Sequence, residues 1–254
     1  MAGQFCWVEL LTSDVEGAKA FYDDVVGWTC ASSGLADRGY HFFSYNGHGA
    51  GGLMQLPEEA KTQGARPSWF GYVSSDDVDA DVEKILDAGG RLYRPAETLP
   101  DIGRFAVVAD PQGAVFALWK DMTGRDHAAL PPMSIGHVGW HELYADDVEK
   151  AFAFYADKFG WTKVEALDMG PMGTYQIFAT GAHPVGGMMR RPEHLPQAFW
   201  NYYFTVPALD EAMVKVEKGG GKIVNGPNEV PGGAWIAQGF DPQGAFFSLV
   251  AAKR

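Results

Sequence analysis

The sequence is poor in cysteine and in basic residues, and each scarcity excludes a class of protein. The two cysteines, Cys6 and Cys30, form no CxxC pattern, so we expect reduced thiols rather than a disulfide framework. Only 20 Lys and Arg stand against 32 Asp and Glu, and the net charge of −12 argues against a nucleic-acid partner. No apolar run approaches the length of a bilayer span, and the first residues lack the basic segment of a signal peptide. The sequence therefore predicts a cytoplasmic protein with no membrane segment.

The signatures of common nucleotide-binding and hydrolytic sites are absent too. There is no P-loop and no GxSxG nucleophile motif, and the one GxGxxG match, GHGAGG at 47–52, does not open a helix as a dinucleotide-binding segment would. No two histidines form an HxH pair, and the one HxxxH spacing, His137 to His141, falls on a strand-like run rather than on a helix, where it would favour a shared metal ion. We therefore expect ordinary polar residues of the core or surface at His41, His48, His137, His141, His183 and His194.

The chain does contain a long internal repeat. Phe5–Thr29 aligns without a gap to Val138–Thr162, and 14 of the 25 positions are identical. The segment DPQGAVFAL of the first half returns as DPQGAFFSL 131 positions later. A nearly constant offset of this kind indicates a duplicated domain. We predict domains at 1–122 and 137–254, joined at 123–136 by a linker rich in turn residues.

Each domain contains a shorter repeat of one strand, one helix and three strands. An Asp seven residues after a Trp suits the N-cap of each helix, because its carboxylate accepts free first-turn N–H groups. The predicted caps are Asp14, Asp76 and Asp147, with Pro207 in the fourth slot. Two predicted buried helix faces are Ala18, Phe21, Tyr22 and Val25, and Val78, Val82, Ile85 and Leu86. Four βαβββ modules predict an α+β fold, with two modules in each curved mixed sheet and the helices outside.

Alternation along the opening strands predicts which side chains face a cavity. Residues two apart share a face of a strand. Because the apolar Val8 and Leu10 suit the helix side, we expect Trp7 and Glu9 on the opposite, concave side. The same rule on the other strands gives the remaining predicted ligand-binding residues: Trp69, Trp119, Trp140, Glu142, Tyr144, Trp200 and Tyr202.

A carboxylate between aromatic walls is the most informative feature of this pattern. Burial of a carboxyl group raises its pKa, and such a group can act as general base or acid near neutral pH. Glu9 and Glu142 are therefore the candidate catalytic residues. The alternative is structural: an indole N–H or backbone donors hold both carboxylates, and the tryptophans fill the core.

The segments WVELLTSDVEGAKAFYDDVVGWT and DPQGA, each with its copy, resemble the vicinal oxygen chelate superfamily. That group contains glyoxalase I, extradiol dioxygenases and bleomycin-resistance proteins, and the resemblance covers nearly the whole chain as two glyoxalase-like domains. Where chelating members place His, Gln or Glu, this sequence has Trp7, Trp69, Trp140, Trp200, Ala117 and Ser248. Indole, methyl and hydroxyl groups do not replace imidazole and carboxylate toward divalent metals. The resemblance implies the fold and its cavity, while these substitutions predict that the usual metal site is missing and that there is no cofactor.

Three functions fit these predictions. The first is metal-independent binding of a small, planar or apolar molecule in the aromatic cavities. The second is a lyase or isomerase of the glyoxalase class, with Glu9 or Glu142 abstracting a proton next to a carbonyl. The third is a binding or regulatory module whose duplication makes an internal pseudo-dimer, so that the chain is a monomer or a homodimer. The predicted partner is a small molecule.

Overall fold

The computed structural model describes residues 2–34, 39–124, 130–193 and 195–254. Residues 125–129, which belong to the predicted linker, and His194 lie outside the described residues. None of the helices in the described ranges combines the length and the apolar character that crossing a bilayer requires.

The first half of the chain contains two βαβββ modules. The first comprises β1 (Phe5–Thr12), α1 (Val15–Val26), β2 (Thr29–Ser32), β3 (His41–Tyr45) and β4 (His48–Gln55). A short helix, α2 (Glu58–Thr62), precedes the second module. That module comprises β5 (Ser68–Ser74), α3 (Val78–Asp87), β6 (Arg91–Leu99), β7 (Gly103–Ala109) and β8 (Val115–Asp121).

The second half repeats this order. Its first module comprises β9 (Val138–Ala145), α4 (Val148–Phe159), β10 (Thr162–Asp168), β11 (Thr174–Ala179) and β12 (Pro184–Arg190), with a 3₁₀ turn at Gly170–Met172. The last module comprises β13 (Phe199–Thr205), α5 (Leu209–Lys218), β14 (Lys222–Glu229), β15 (Trp235–Phe240) and β16 (Phe246–Ala251).

The described strands form two curved, mixed, eight-stranded sheets of identical topology. Their orders are β2-β3-β4-β1-β5-β8-β7-β6 and β10-β11-β12-β9-β13-β16-β15-β14. In every module the first strand pairs in parallel with the last, while the other strands within the module pair antiparallel. The predicted α+β class, with two βαβββ modules in each sheet, is confirmed.

Helix capping follows the sequence prediction in two modules and departs from it in two. The carboxylates of Asp14 and Asp147 accept the backbone N–H groups of the third residue that follows each of them. In the second module the cap is Asp77, not Asp76, and α5 is preceded by Ala208 without a side-chain cap. Tandem aspartates offer the same carboxylate at two positions, so the sequence could not decide which of them caps the helix.

The buried faces of the helices agree largely with the predicted spacing. Ala18, Phe21, Tyr22 and Val25 are all buried on α1, as expected. On α3 Val78, Val82 and Ile85 are buried, but Leu86 is 43% exposed. The face of the ten-residue α3 is therefore narrower than the sequence pattern indicated.

The backbone divides into two compact units, and each unit combines modules of both halves. Unit 1 contains Met1–Trp7, Phe70–Leu130 and His141–Trp200, and unit 2 contains Val8–Trp69, Pro131–Trp140 and Asn201–Arg254. Unit 1 thus unites the second module of the first half with the first module of the second half. Unit 2 unites the two outermost modules of the chain. The domain boundaries that the repeat suggests, 1–122 and 137–254, stay a prediction.

A buried chain of hydrogen bonds crosses the core of unit 2. The indole N–H of Trp69 donates to the Tyr22 hydroxyl over 2.8 Å, and that hydroxyl donates to Oδ2 of Asp241 over 3.1 Å. Oδ1 of Asp241 accepts the backbone N–H groups of Gln243 and Ala245. Burial raises the pKa of the Asp241 carboxyl, while these donors act in the opposite direction.

Unit 1 contains the same chain of bonds from the equivalent residues. Trp200 donates to the Tyr155 hydroxyl over 2.9 Å, and Tyr155 donates to Asp110 over 3.0 Å. In both units the tyrosine belongs to an FY pair and the aspartate to the DPQG segment of the other half. These two repeated motifs therefore connect the sequence halves inside each unit.

A second pair of equivalent tryptophans strengthens the same connection. The Trp28 indole donates to the carbonyl of Gly136 over 2.6 Å in unit 2. The Trp161 indole donates to the carbonyl of Gly3 over 2.6 Å in unit 1. Each bond joins the GW segment after a long helix to the residues that precede the opening strand of the other half.

Candidate functional site

The indole of Trp69 identifies the helix side of the first sheet. A Cβ placed on Gly51 would lie 3.3 Å from Val8 Cγ2 and 3.5 Å from the Trp69 ring, so Val8 and Trp69 share a face. Because Trp69 bonds to Tyr22 of α1, this face is covered by the helix. Leu10 is fully buried and lies on the same side of β1 by alternation. Glu9 therefore points to the opposite side, as predicted.

The positions of Trp69 and Trp200 differ from the sequence-based expectation. We expected both indoles to share the cavity with the two glutamates, but they lie on the helix side, bonded to Tyr22 and Tyr155. Tyr202, two residues from Trp200 on β13, falls on the same side by alternation and is 1% exposed. These three aromatic residues belong to the cores of the units.

Because the observed caps of α3 and α5 differ from the predicted ones, the residues of β5 and β13 that are equivalent to Trp7 differ as well. Trp7 and Trp140 lie seven residues before the caps Asp14 and Asp147, but seven residues before the other two caps are Phe70 and Asn201. In the strands β5 and β13 the family's ligand position is therefore held by these residues rather than by the adjacent tryptophans.

The side chains now assigned to the ligand positions of the second half do not fit a metal ion. The Asn201 amide donates to the Ser248 hydroxyl over 2.9 Å, and that hydroxyl lies 3.1 Å from the Asn201 amide oxygen. A neutral amide and a neutral hydroxyl bonded to each other lack the imidazole and carboxylate donors that divalent transition metals prefer. Asn201 and Ser248 therefore do not suit the metal chemistry of the chelating relatives.

Glu142 is a buried carboxylate held by a neighbouring phenol. Its side chain is 5% exposed, and the Tyr175 hydroxyl on β11 donates to Oε1 over 3.0 Å. Gly187 lies directly opposite Glu142 in the parallel pair of β12 and β9. A Cβ on Gly187 would lie 2.1 Å from the Tyr175 ring, so only glycine leaves room for this phenol beside the carboxylate.

An aromatic wall continues from Glu142 along β9. Tyr144 is two residues further on the same face, and its ring stacks on Phe199 with centroids 5.0 Å apart and planes 14° apart. Trp140, two residues before Glu142, is half-buried. The structure thus places Glu142, Tyr144, Tyr175 and Phe199 in one cluster of unit 1, which we name the Glu142 cluster.

The predicted site residues of the first half are placed as follows. Glu9 is 4% exposed, and Trp7 is half-buried on the same strand. The Trp119 indole lies over Gly103, where a Cβ would come within 2.4 Å of its ring, and its centroid is 6.2 Å from that of Tyr72. Trp119 and Tyr72 therefore form an aromatic pair within unit 1.

His141 has the most strongly perturbed histidine environment in the described ranges. Its ring stacks on Phe5 with centroids 4.0 Å apart, and Nδ1 lies 3.0 Å from the Val185 carbonyl oxygen. Burial lowers the pKa of His141 to about 4. The residue is on the helix side of β9, so it acts as a neutral core residue, in line with the sequence-based expectation.

Two other parts of the described residues bear on where a site could lie. Within the described residues, no three His, Cys, Asp or Glu side chains come together as a metal site would require. A depression of about 240 Å³ in unit 1 is lined by Ala2, Gly3, Ser74, Asp76, Asp77, Asp81, Lys84, Lys158 and Phe159. None of the predicted site residues is among them.

Sequence reasoning missed Tyr175, Phe199 and Asn201. The adjacent glycines Gly186 and Gly187 were a usable signal for Tyr175, because a strand without Cβ atoms leaves room for a large neighbour. For Asn201 the signal was the cap position, which is visible only once the start of α5 is known.

Comparison with known proteins agrees with this architecture. The sequence profile of the Glyoxalase/Bleomycin resistance protein/Dioxygenase superfamily matches residues 4–118 and 134–249. The chain is 32% identical over 246 residues to CFP32 of Mycobacterium tuberculosis, which carries a provisional glyoxylase name, and the match covers 96% of this chain and 93% of CFP32. It is 30% identical over 272 residues to the anthracycline biosynthesis protein DnrV of Streptomyces peucetius, with 99% and 94% covered.

A solved structure shows the same fold at low sequence identity. The Mn(II)-bound glyoxalase from Novosphingobium aromaticivorans superposes with a TM-score of 0.66 at 17% identity, covering 100% of this chain and 83% of that one. The repeated modules, the sheet topology and the two profile matches agree with one another. The chain belongs to the Glyoxalase/Bleomycin resistance protein/Dioxygenase superfamily.

Proposed function

We propose that this protein binds a small, planar molecule against the Glu142 cluster, without the metal site of its chelating relatives. The observation that carries the proposal is the Glu142 carboxylate itself, which is 5% exposed, accepts a hydrogen bond from the Tyr175 hydroxyl and shares a strand face with Tyr144, whose ring stacks on Phe199. Aromatic faces favour a flat apolar ligand, and a buried carboxylate favours a positive charge or a strong donor on it.

The charge of the chain and its relatives support this choice of ligand. A net charge of −12 attracts cations to the surface. DnrV, similar over nearly the whole chain, is named for anthracycline biosynthesis. Anthracyclines are planar fused-ring compounds, and many of them carry an amino sugar that is cationic at neutral pH. We therefore take daunorubicin as the first probe.

We expect Glu142→Gln to weaken daunorubicin binding by about 10- to 100-fold, because a charge-assisted hydrogen bond contributes roughly 1.5–3 kcal/mol. The intrinsic fluorescence of the drug, titrated with protein, measures the dissociation constant. Its neutral aglycone, which lacks the amino sugar, should bind the native protein and the variant with nearly equal affinity.

Glu165→Gln is the matched control, because Glu165 is an exposed glutamate on β10 and its replacement changes the net charge equally. We expect this variant to bind daunorubicin like the native protein. Equal affinities for native protein, Glu142→Gln and Glu165→Gln would overturn the proposed site. Equal weakening in both variants would show a general effect of surface charge instead.

A lyase or isomerase of the glyoxalase class is the second candidate. The provisional glyoxylase name of CFP32 favours it, as does the Glu142–Tyr175 pair, because a carboxylate can accept a proton next to a carbonyl while a phenol donates to the oxygen. Glu9, equally buried in the first half, is the alternative base.

The hemithioacetal of methylglyoxal and glutathione separates the two candidates. If the chain is a lyase, turnover of this adduct falls by at least about 100-fold in Glu142→Gln or Glu9→Gln, the range expected when a general base is removed. Chromatography of the thioester product measures this turnover. Native protein without turnover favours the binding function.

A further inference from the structure

A row of neutral polar side chains crosses one face of the last module, in unit 2. The Asn225 amide donates to Oε1 of Gln238 over 2.9 Å, and Nε2 of Gln238 donates to the Tyr203 hydroxyl over 2.8 Å. Ser248 lies opposite both Gln238 and Tyr203 in the sheet and bonds to Asn201. We name these five residues, on four adjacent strands, the amide row.

The first half carries different residues at the same places. In the second module of that half the equivalent residues, each 131 positions earlier, are Arg94, Val107, Tyr72, Ala117 and Phe70. The strand registers are the same, with Tyr72 opposite Ala117, Val107 opposite Ala117 and Arg94 opposite Val107. The backbone of the module therefore forms equally well with only the tyrosine retained from the row.

This comparison separates the needs of the fold from those of a site. Burying an amide costs free energy unless it is hydrogen-bonded, and an apolar residue of similar shape avoids that cost. Asn201, Gln238 and Ser248 are all buried, although the first half uses Phe, Val and Ala at these places. The fold does not require the amide row, which points to recognition of a ligand.

The surroundings of the amide row provide an approach from solvent and an apolar wall. Asn225 is exposed, whereas Gln238 and Ser248 are buried, so the row runs from the surface inward. Phe240 and Phe246 lie two residues from Gln238 and Ser248 on the same face, and their centroids are 5.2 Å apart. A ligand with an apolar body and one polar edge matches this surface.

We infer that the amide row is a binding site for a neutral ligand with a lactam or carboxamide edge. Asn and Gln side chains each present both a carbonyl acceptor and N–H donors, and the hydroxyl groups of Ser248 and Tyr203 can do either. Four of the five residues are neutral amides or hydroxyls at any pH near neutrality, and the fifth is a phenol. A lactam offers the complementary carbonyl and N–H side by side, with no charge to desolvate.

The probe is 1(2H)-isoquinolinone, a bicyclic lactam, titrated into native protein labelled with ¹⁵N. We expect the side-chain NH₂ signals of Asn201 and Gln238 to shift, and the N-methyl derivative, which lacks the donor, to bind at least about tenfold more weakly. Gln238→Val should weaken lactam binding by a similar factor. Gln63→Val, at an exposed glutamine of unit 2, is the matched control and should leave binding unchanged.

A second variant guards against loss of folding. Asn201→Leu combined with Ser248→Ala removes both partners of one buried bond together, which is nearly neutral for stability when the shape is preserved. We expect its melting temperature to stay within about 3 °C of the native value and its lactam binding to be lost. No signal shift in native protein, or unchanged binding in both variants, would overturn the inference. Because Glu142 is intact in these variants, their daunorubicin affinity tests the proposed function separately.

Discussion

Tyr22→Phe is expected to lower the free energy of unfolding by about 2–4 kcal/mol, since each buried group left unsatisfied costs roughly 1–3 kcal/mol. The substitution removes one oxygen atom but leaves two buried groups without their observed partner. The Trp69 indole loses its acceptor, and Asp241 loses the hydroxyl donor. The carboxylate keeps the backbone N–H groups of Gln243 and Ala245, so the aspartate loop should survive.

Urea denaturation followed by tryptophan fluorescence measures this loss. Tyr155→Phe should give a similar loss, because Trp200 and Asp110 have the same relation to it in unit 1. Tyr93→Phe is the control, since this tyrosine is 49% exposed and its replacement should cost less than about 0.5 kcal/mol. A Tyr22→Phe protein as stable as Tyr93→Phe would show that the buried hydrogen-bond chain contributes little.

His141 should make the protein less stable in mild acid. Its pKa in the folded protein is about 4, against 6.5 for an unperturbed histidine, so the unfolded chain binds more protons between these values. The contribution of His141 to the free energy of unfolding is fully present above pH 6.5 and is lost as the pH falls toward 4. Between pH 7.5 and pH 5.0 we expect a loss of about 2 kcal/mol from His141 alone.

His141→Phe tests this assignment, because a phenyl ring keeps the stack on Phe5 while it cannot titrate. The variant loses the contact with the Val185 carbonyl, so its free energy of unfolding at pH 7.5 should fall. Between pH 7.5 and pH 5.0, however, it should lose about 2 kcal/mol less than the native protein does. His183→Gln, at an exposed histidine, should keep the native pH dependence. Parallel pH profiles for His141→Phe and native protein would contradict the assignment.

The sequence was sufficient to predict the architecture, because the repeat and the local signals agree. Fourteen identities in 25 aligned positions established the duplication, and the spacing of Ala18, Phe21, Tyr22 and Val25 identified the buried side of α1. The spacing of apolar residues shows clearly which face of a helix is buried when the opposite face is exposed to solvent. Which modules share a unit was not predictable, since no local feature of the sequence shows which other module a given module packs against.

The predicted facing of strand side chains agrees with the structure only where a strand shows polar contrast. On β1 the acid at position 9 stands between the apolar Val8 and Leu10, and the same alternation on the repeated strand β9 assigned Glu142 and Tyr144 to one face. On β13 the segment FWNYYFT is buried on both sides of the strand. Because aromatic residues stand at successive positions, the sequence does not show which of them face the helix and which face the cavity. Trp200 and Tyr202 were therefore placed on the side opposite to the observed one.

The two units receive their last residues at different times during translation, because unit 2 contains both the first and the last module of the chain. Tyr22 and its acceptor Asp241 are 219 residues apart, so α1 leaves the ribosome long before the aspartate loop that completes its surroundings has been translated. Unit 1 has all its residues once Trp200 is made, whereas unit 2 needs the final module, Asn201–Arg254. The segment translated first is thus among the last to reach its finished environment, and the nascent first half carries unsatisfied apolar surface until the second half arrives.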